Sequence, residues 1–131
     1  MRENQKYATY FPLFYILSAA SQIAGLRDYP QWVSAWRIVF TLFDLAIGIL
    51  VFWLLYRRQL LLAALFGAAF WLFNRWTLHI VQVAHMDFIA IFLFLLSLAL
   101  FDLHRSTSLL LFSFSLATKQ IALFTIPLYL I

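Results

Sequence analysis

Apolar residues come in long blocks along this chain, and polar residues gather in short clusters between them. The first block, Phe11 to Leu26, sets Ser18, Ser21, Gln22 and Gly25 at i, i+3, i+4 and i+7, a small and polar stripe on one helical face. Such a helix lies in a membrane interface or packs closely against a neighbour. Arg27-Asp28-Tyr29-Pro30 then reads as a turn, because Pro30 disfavours helical geometry at Tyr29 and the charges want water. The second block, Ile38 to Tyr56, is nineteen residues with one charge, flanked by Trp36 and Arg37 before it and Arg57-Arg58 after it. At about 1.5 Å per residue it covers roughly the 30 Å hydrocarbon layer of a bilayer. The third block, Leu60 to Phe73, is shorter, so its helix is expected to run on through Trp76 towards Val83, with Asn74 and Arg75 snorkelling or facing a wet cavity. A fourth block, Phe88 to Leu103, is closed by His104-Arg105, and a fifth element from Leu109 to Ile131 carries Lys119 in its middle. No repeat or low-complexity linker divides these blocks. The expectation is a single transmembrane domain over residues 1–131: an all-α membrane protein, a bundle of about four transmembrane helices plus an N-terminal interfacial or membrane helix.

Composition strengthens that reading. A soluble domain has roughly a quarter of its residues charged. Here 11% are charged and 66% hydrophobic, with fifteen Phe and five Trp, more apolar surface than one small globule hides from water. The Met1–Lys6 start and the apolar run from Tyr10 to Ala20 also have the outline of a signal peptide. Pro12 and the apolar blocks that follow at once fit an interfacial or membrane helix at least as well. The net charge of +4 is scattered singly or as one pair, with no cluster facing a polyanion, which argues against nucleic-acid binding. Without cysteine the chain has neither a disulfide framework nor a thiolate-bound metal. Arg57-Arg58 and His104-Arg105 fall on one side if the later blocks are consecutive crossings, and positive charge assigns that side to the cytoplasm. Residues 1–35 and the region from Arg75 to Asp87 are then extracytoplasmic, and the expected location is the cell membrane, multi-pass.

A few polar residues need an explanation in such a setting. Asp44 sits inside the clearest span, where an unpaired carboxylate costs several kcal/mol. Lys119 poses the same problem in the last element. Depth counting puts Asp44 roughly 10 to 15 Å from the outer boundary and Lys119 about 16 Å from the inner one, so the two nearly coincide. An Asp44–Lys119 ion pair is the expected structural answer, with a proton or ion relay, or a lysine reaching a phosphate, as functional alternatives. Arg37, seven residues before Asp44 and on about the same face, is a second partner at longer range. His79, His85 and Asp87 invite a metal reading, but six residues leave the two histidines about 120° apart on a helix, unlike the i, i+4 spacing that shares an ion. No metal is expected. Asp87 stands just before an apolar helix, where a carboxylate suits free N–H groups and the positive end of the dipole. His104 and Arg105 read as an interfacial end-cap. The aromatic residues read as interface anchors or packing, with Trp53 and Trp71 the deepest.

Several stretches, in order, resemble the polytopic glycosyltransferases of the C-type fold, in particular bacterial members related to mannosyltransferases. Tyr10-Phe11-Pro12-Leu13-Phe14-Tyr15 is similar to the aromatic and proline motif that follows their first outer loop. Arg37 together with FTLFDLAIGILVFWLLYRR, ending at Arg58, resembles their next span, with Asp44 in its outer half. QVAHMDFIAIFLFLLSLALF, residues 82–101, resembles the outer turn with an Asp before a Leu-rich helix, and LATKQIALFTIPLYLI, residues 116–131, has the Lys and later Pro found there. The resemblance implies transfer of a sugar, with inversion, from a polyprenyl-phosphate carrier to an acceptor at the extracytoplasmic face. It brings no cofactor beyond the lipid-phosphate sugar donor and leaves a divalent metal open. Arg27, Arg75, His85, Asp87 and Lys119 are the residues it offers for substrate binding. The acidic base of those enzymes lies on a loop after an earlier span, and only nine residues precede Tyr10, with Glu3 the sole acid among them. The chain therefore reads as an N-proximal fragment, inactive alone, with its catalytic residue expected upstream. Its expected partners are membrane lipid, the lipid-linked donor and other transmembrane helices. Two other readings stand beside this one. One is a small non-enzymatic membrane scaffold or assembly subunit. The other is a transporter module, which lacks the Gly/Pro-broken paired helices of many carriers.

Overall fold

The computed structural model describes residues 12–82, 87–119, 123, 126 and 127, and within them the fold is all-helical. Six α-helices occur among the described residues: α1 (Pro12–Ile23), α2 (Tyr29–Tyr56), α3 (Leu61–Phe73), α4 (Arg75–Gln82), α5 (Asp87–Leu100) and α6 (Arg105–Thr118). The predicted blocks are all present as helices, but their ends differ from the sequence reading in ways that local hydrogen bonding explains.

Helix α1 ends in a Schellman motif. Gly25 takes φ 106°, its N–H donates to Gln22 O at 3.1 Å, and Leu26 N–H donates to Ser21 O at 3.1 Å. Helix α2 starts at Tyr29, nine residues before the apolar block, because Pro30 falls in the first turn, where its missing N–H costs nothing. The expected turn at Arg27–Pro30 is therefore displaced towards the end of α1. Helix α2 also closes with a Schellman pair, Gln59 N–H to Tyr56 O at 2.9 Å and Leu60 N–H to Leu55 O at 3.2 Å. Gln59, not glycine, holds the left-handed position, at φ 63°.

The third block does not run on as one helix. Asn74 breaks it, and α3 and α4 meet at 48°. The Asn74 side-chain oxygen accepts from Trp76 N–H at 2.8 Å, while its carbonyl accepts from Leu78 N–H at 3.2 Å, so Asn74 caps α4. The Thr77 hydroxyl, 2.7 Å from both Trp71 O and Asn74 O, serves the Trp71 carbonyl that the break releases. The last element also differs from expectation. Helix α6 begins at Arg105 rather than Leu109 and stops at Thr118, with Lys119 extended at φ −154° and ψ 139°, so Lys119 caps this helix instead of occupying its middle.

These ends change the count of membrane-length helices. Helix α2, with 28 residues, is long and apolar enough to cross a membrane, and α3 with α4 passes as one bent pair. Helices α5 and α6 have 14 residues each. At about 1.5 Å per residue that is about 21 Å, short of a hydrocarbon layer of roughly 30 Å.

The core forms where α2, α5 and the α3–α4 elbow meet, around Trp36, Phe40, Ile47, Phe88 and Ile89, with Trp71, Ile80 and Val81 packed on it. Phe43 meets Phe92 edge-on at 5.2 Å, and Trp71 meets Phe88 at 6.0 Å. Gly48 allows α3 to approach α2, since a Cβ there would lie 2.8 Å from Leu72 Cγ. Helices α5 and α6 form an antiparallel hairpin. Ser108 Oγ donates to Ser97 O at 2.6 Å and Ser115 Oγ to Ala90 O at 2.7 Å, both hydroxyls fully buried.

A candidate site at one end of the helices

The start of α2, the α3–α4 elbow, the start of α5 and the end of α6 lie at one end of the fold, and the charged residues singled out from sequence sort themselves there by helix contact. Helix α6 packs against α5, with a smaller contact to α1, whereas α2 packs against α3 and α5. Lys119 therefore meets the head of α5: its ammonium donates to the Asp87 carboxylate in an ion pair, with both side chains about one-fifth exposed. The expected Asp44–Lys119 pair is corrected on this point. Depth counting matched the two residues along the membrane normal but carried no information on which helices are neighbours.

Asp44 is 5% exposed, and its partner is an indole: Trp71 Nε1 donates to Asp44 Oδ1 at 2.8 Å. Arg37, the other partner considered for Asp44, is exposed on α2. Trp71 thus closes a chain from the Asp44 carboxylate through its ring to Phe88 and through its carbonyl to Thr77. The buried Trp36 Nε1 has no hydrogen-bond partner among the described residues.

Arg75 and His79 are brought together. Four residues apart on α4, they line one open cleft of about 710 Å³ with Phe73, Trp76 and Leu78. The opposite face of α4 carries Thr77, Ile80 and Val81 into the fold. The result is a short amphipathic helix with a cationic face, flanked by Trp76 and Phe73, which are 73% and 80% exposed. Arg27 is elsewhere, in a separate cleft of about 350 Å³ at the α1–α2 join, with Ser18, Gln22 and Trp32. There Ser21 Oγ accepts from Trp32 Nε1 at 2.9 Å and donates to Ser18 O at 2.7 Å. His85 lies outside the described residues, and with it the His79–His85–Asp87 grouping. Among the described residues no three His, Cys, Asp or Glu side chains converge as metal ligands would.

Of the substrate-binding candidates, the four among the described residues sort separately: Arg75 shares a cleft with His79, Asp87 pairs with Lys119, and Arg27 lines the cleft at the α1–α2 join. The Arg75–His79 pairing was readable as an i, i+4 spacing, but only the break at Asn74 shows that both lie on a separate short helix. Comparison of the chain with protein-family models, curated proteins and solved structures gave no match.

Proposed function

We propose that the chain is a multi-pass helical membrane module, and that it belongs to a glycosyltransferase which takes sugar from a polyprenyl-phosphate carrier at the extracytoplasmic face. Large apolar side chains facing outward support the membrane part of this reading. Ile38, Leu42 and Ile49 on α2 are 61–70% exposed, and Phe66 and Phe70 on α3 are each 73% exposed. They stand opposite a buried face of Phe40, Asp44 and Ile47. In water so large an apolar area is a liability, while hydrocarbon solvates it.

The observation that carries the donor reading is α4. A guanidinium and an imidazole on one face of a short helix, flanked by exposed aromatic rings, suit a phosphate held at the membrane interface with its lipid tail beneath. The resemblance of residues 10–15, 37–58, 82–101 and 116–131 to C-type-fold transferases supplies the sugar-transfer chemistry. In this reading Arg75 neutralises the charge that develops on the phosphate as the glycosidic bond breaks and His79 donates a hydrogen bond to it, which is where electrostatic stabilisation matters most. Asp87 and Lys119 neutralise one another and brace the hairpin beside that face. No residue of this chain is assigned as the base that deprotonates the acceptor.

The test is photolabelling of the membrane-inserted chain with a photoreactive polyprenyl monophosphate. Labelling is expected to fall on peptides from residues 73–82 and to drop several-fold in Arg75→Ala. Equal labelling by the matching polyprenol, which lacks phosphate, would rule the reading out.

A further inference from the structure

The opposite end of the helices carries its own charged cleft. Arg57 and Arg58 follow α2, Asp102 and His104 lie between α5 and α6, and Arg105 opens α6. The two segments are adjacent in space: Arg57 Nη1 donates to Ala99 O at 3.4 Å. Two of the three arginines are already placed by aromatic rings, Arg57 with its Cζ 5.0 Å from the Trp53 ring centroid and Arg105 with its Cζ 5.3 Å from that of Phe101. The third, Arg58, is exposed and lines a cleft of about 490 Å³ with Asp102. The walls of that cleft are apolar, among them Leu54, Leu55, Leu98 and Phe101.

We infer that this cleft binds one anionic phospholipid, its phosphate against Arg58 with Arg57 and Arg105 nearby, and an acyl chain along the leucines. Charge and shape both select this occupant. Arg58 shares the cleft with Asp102, and Arg57 and Arg105 lie in the same two segments, so three arginines against a single aspartate give this end an excess of positive charge. A soluble anion would leave the apolar walls wet, whereas an acyl chain covers them. Asp102 does not by itself choose between headgroups, because its carboxylate repels the carboxylate of serine but attracts its ammonium, and it accepts a hydrogen bond from a glycerol hydroxyl.

The inference rests on the membrane reading above but not on sugar transfer. The full chain is purified from membranes containing equal parts phosphatidylcholine, phosphatidylethanolamine, phosphatidylserine and phosphatidylglycerol, and the co-purified lipid is quantified by mass spectrometry. Phosphatidylglycerol is expected to be enriched over phosphatidylcholine by roughly fivefold for each engaged arginine. Arg58→Gln should lose about fivefold of that enrichment, Arg58→Lys should retain most of it, and Arg27→Gln at the other end should leave it unchanged.

Equal retention of all four lipids, or enrichment that survives Arg58→Gln, would overturn the assignment. So would displacement of the lipid by inorganic phosphate at matched concentration, which would mark a bare anion site. Size-exclusion profiles of each variant separate lost folding from lost binding. Resistance of the chain to alkaline carbonate extraction reports membrane insertion separately, so failure of that premise is distinguishable from failure of the lipid site.

Discussion

At the scale of single residues, the buried carboxylate of Asp44 is the most demanding group in the fold. Its partner is a neutral indole on α3, so the interaction is a hydrogen bond rather than an ion pair. Asp44→Asn keeps an acceptor for Trp71 Nε1 and is expected to be nearly neutral. Asp44→Ala strands that N–H and should destabilise the fold by about 1–3 kcal/mol, read by thermal unfolding in detergent. The Asp87–Lys119 pair gives a second expectation. Asp87→Lys or Lys119→Asp alone sets like charges together at the head of the hairpin, whereas the double swap restores attraction and should recover most of the lost melting temperature. An Asp44→Lys, Lys119→Asp double swap should show no such recovery, because those residues meet different partners. The sequence was informative about which residues needed partners, since charges in apolar blocks stand out. It was silent on partner identity, which depends on which helices are neighbours.

Among the helices, local chemistry explains most boundaries. Gly25 carries the left-handed residue of its Schellman motif without a steric penalty. Gln59 occupies the equivalent position after α2 with a side chain, at a backbone cost of roughly 1–2 kcal/mol. Gln59→Gly should therefore raise stability by up to about 1 kcal/mol, detectable as a higher unfolding midpoint without a change in helix content. The apolar blocks made every helix but α4 recognisable, because hydrophobic runs this long have few alternatives. They misplaced the ends where a polar side chain does backbone work. Asn74 and Arg75 could be read as snorkelling polar residues, yet the Asn74 side chain caps α4, and Thr77 beyond them serves the open Trp71 carbonyl of α3. Pro30 could be read as a breaker, yet it sits in the first turn of α2.

For the whole molecule, the outward-facing belt on α2 and α3 and the two charged ends set an orientation that reporter fusions can check. Reporters placed after Gln59 and after Leu103 should share one side of the membrane, and one placed after Asn74 should report the other. A reporter at Asn74 on the same side as Gln59 would show that the bent α3–α4 pair turns back without crossing. Sequence carried the overall character of the fold, since composition and block length are properties of the chain as a whole. It did not carry the clefts, because Arg75 with His79, and Arg58 with Asp102, become neighbours of apolar walls only after helices bend and pair. Ser108 and Ser115 link α6 to α5 at two points seven residues apart, so the two helices cannot slide past each other without breaking both bonds. A helix of 14 residues gains little by leaving the insertion machinery alone. Under the multi-pass proposal, with its hydroxyls already turned onto its partner, the pair enters the bilayer as one piece during synthesis, and residues 87–119 expressed alone should integrate as a hairpin with both ends on one side.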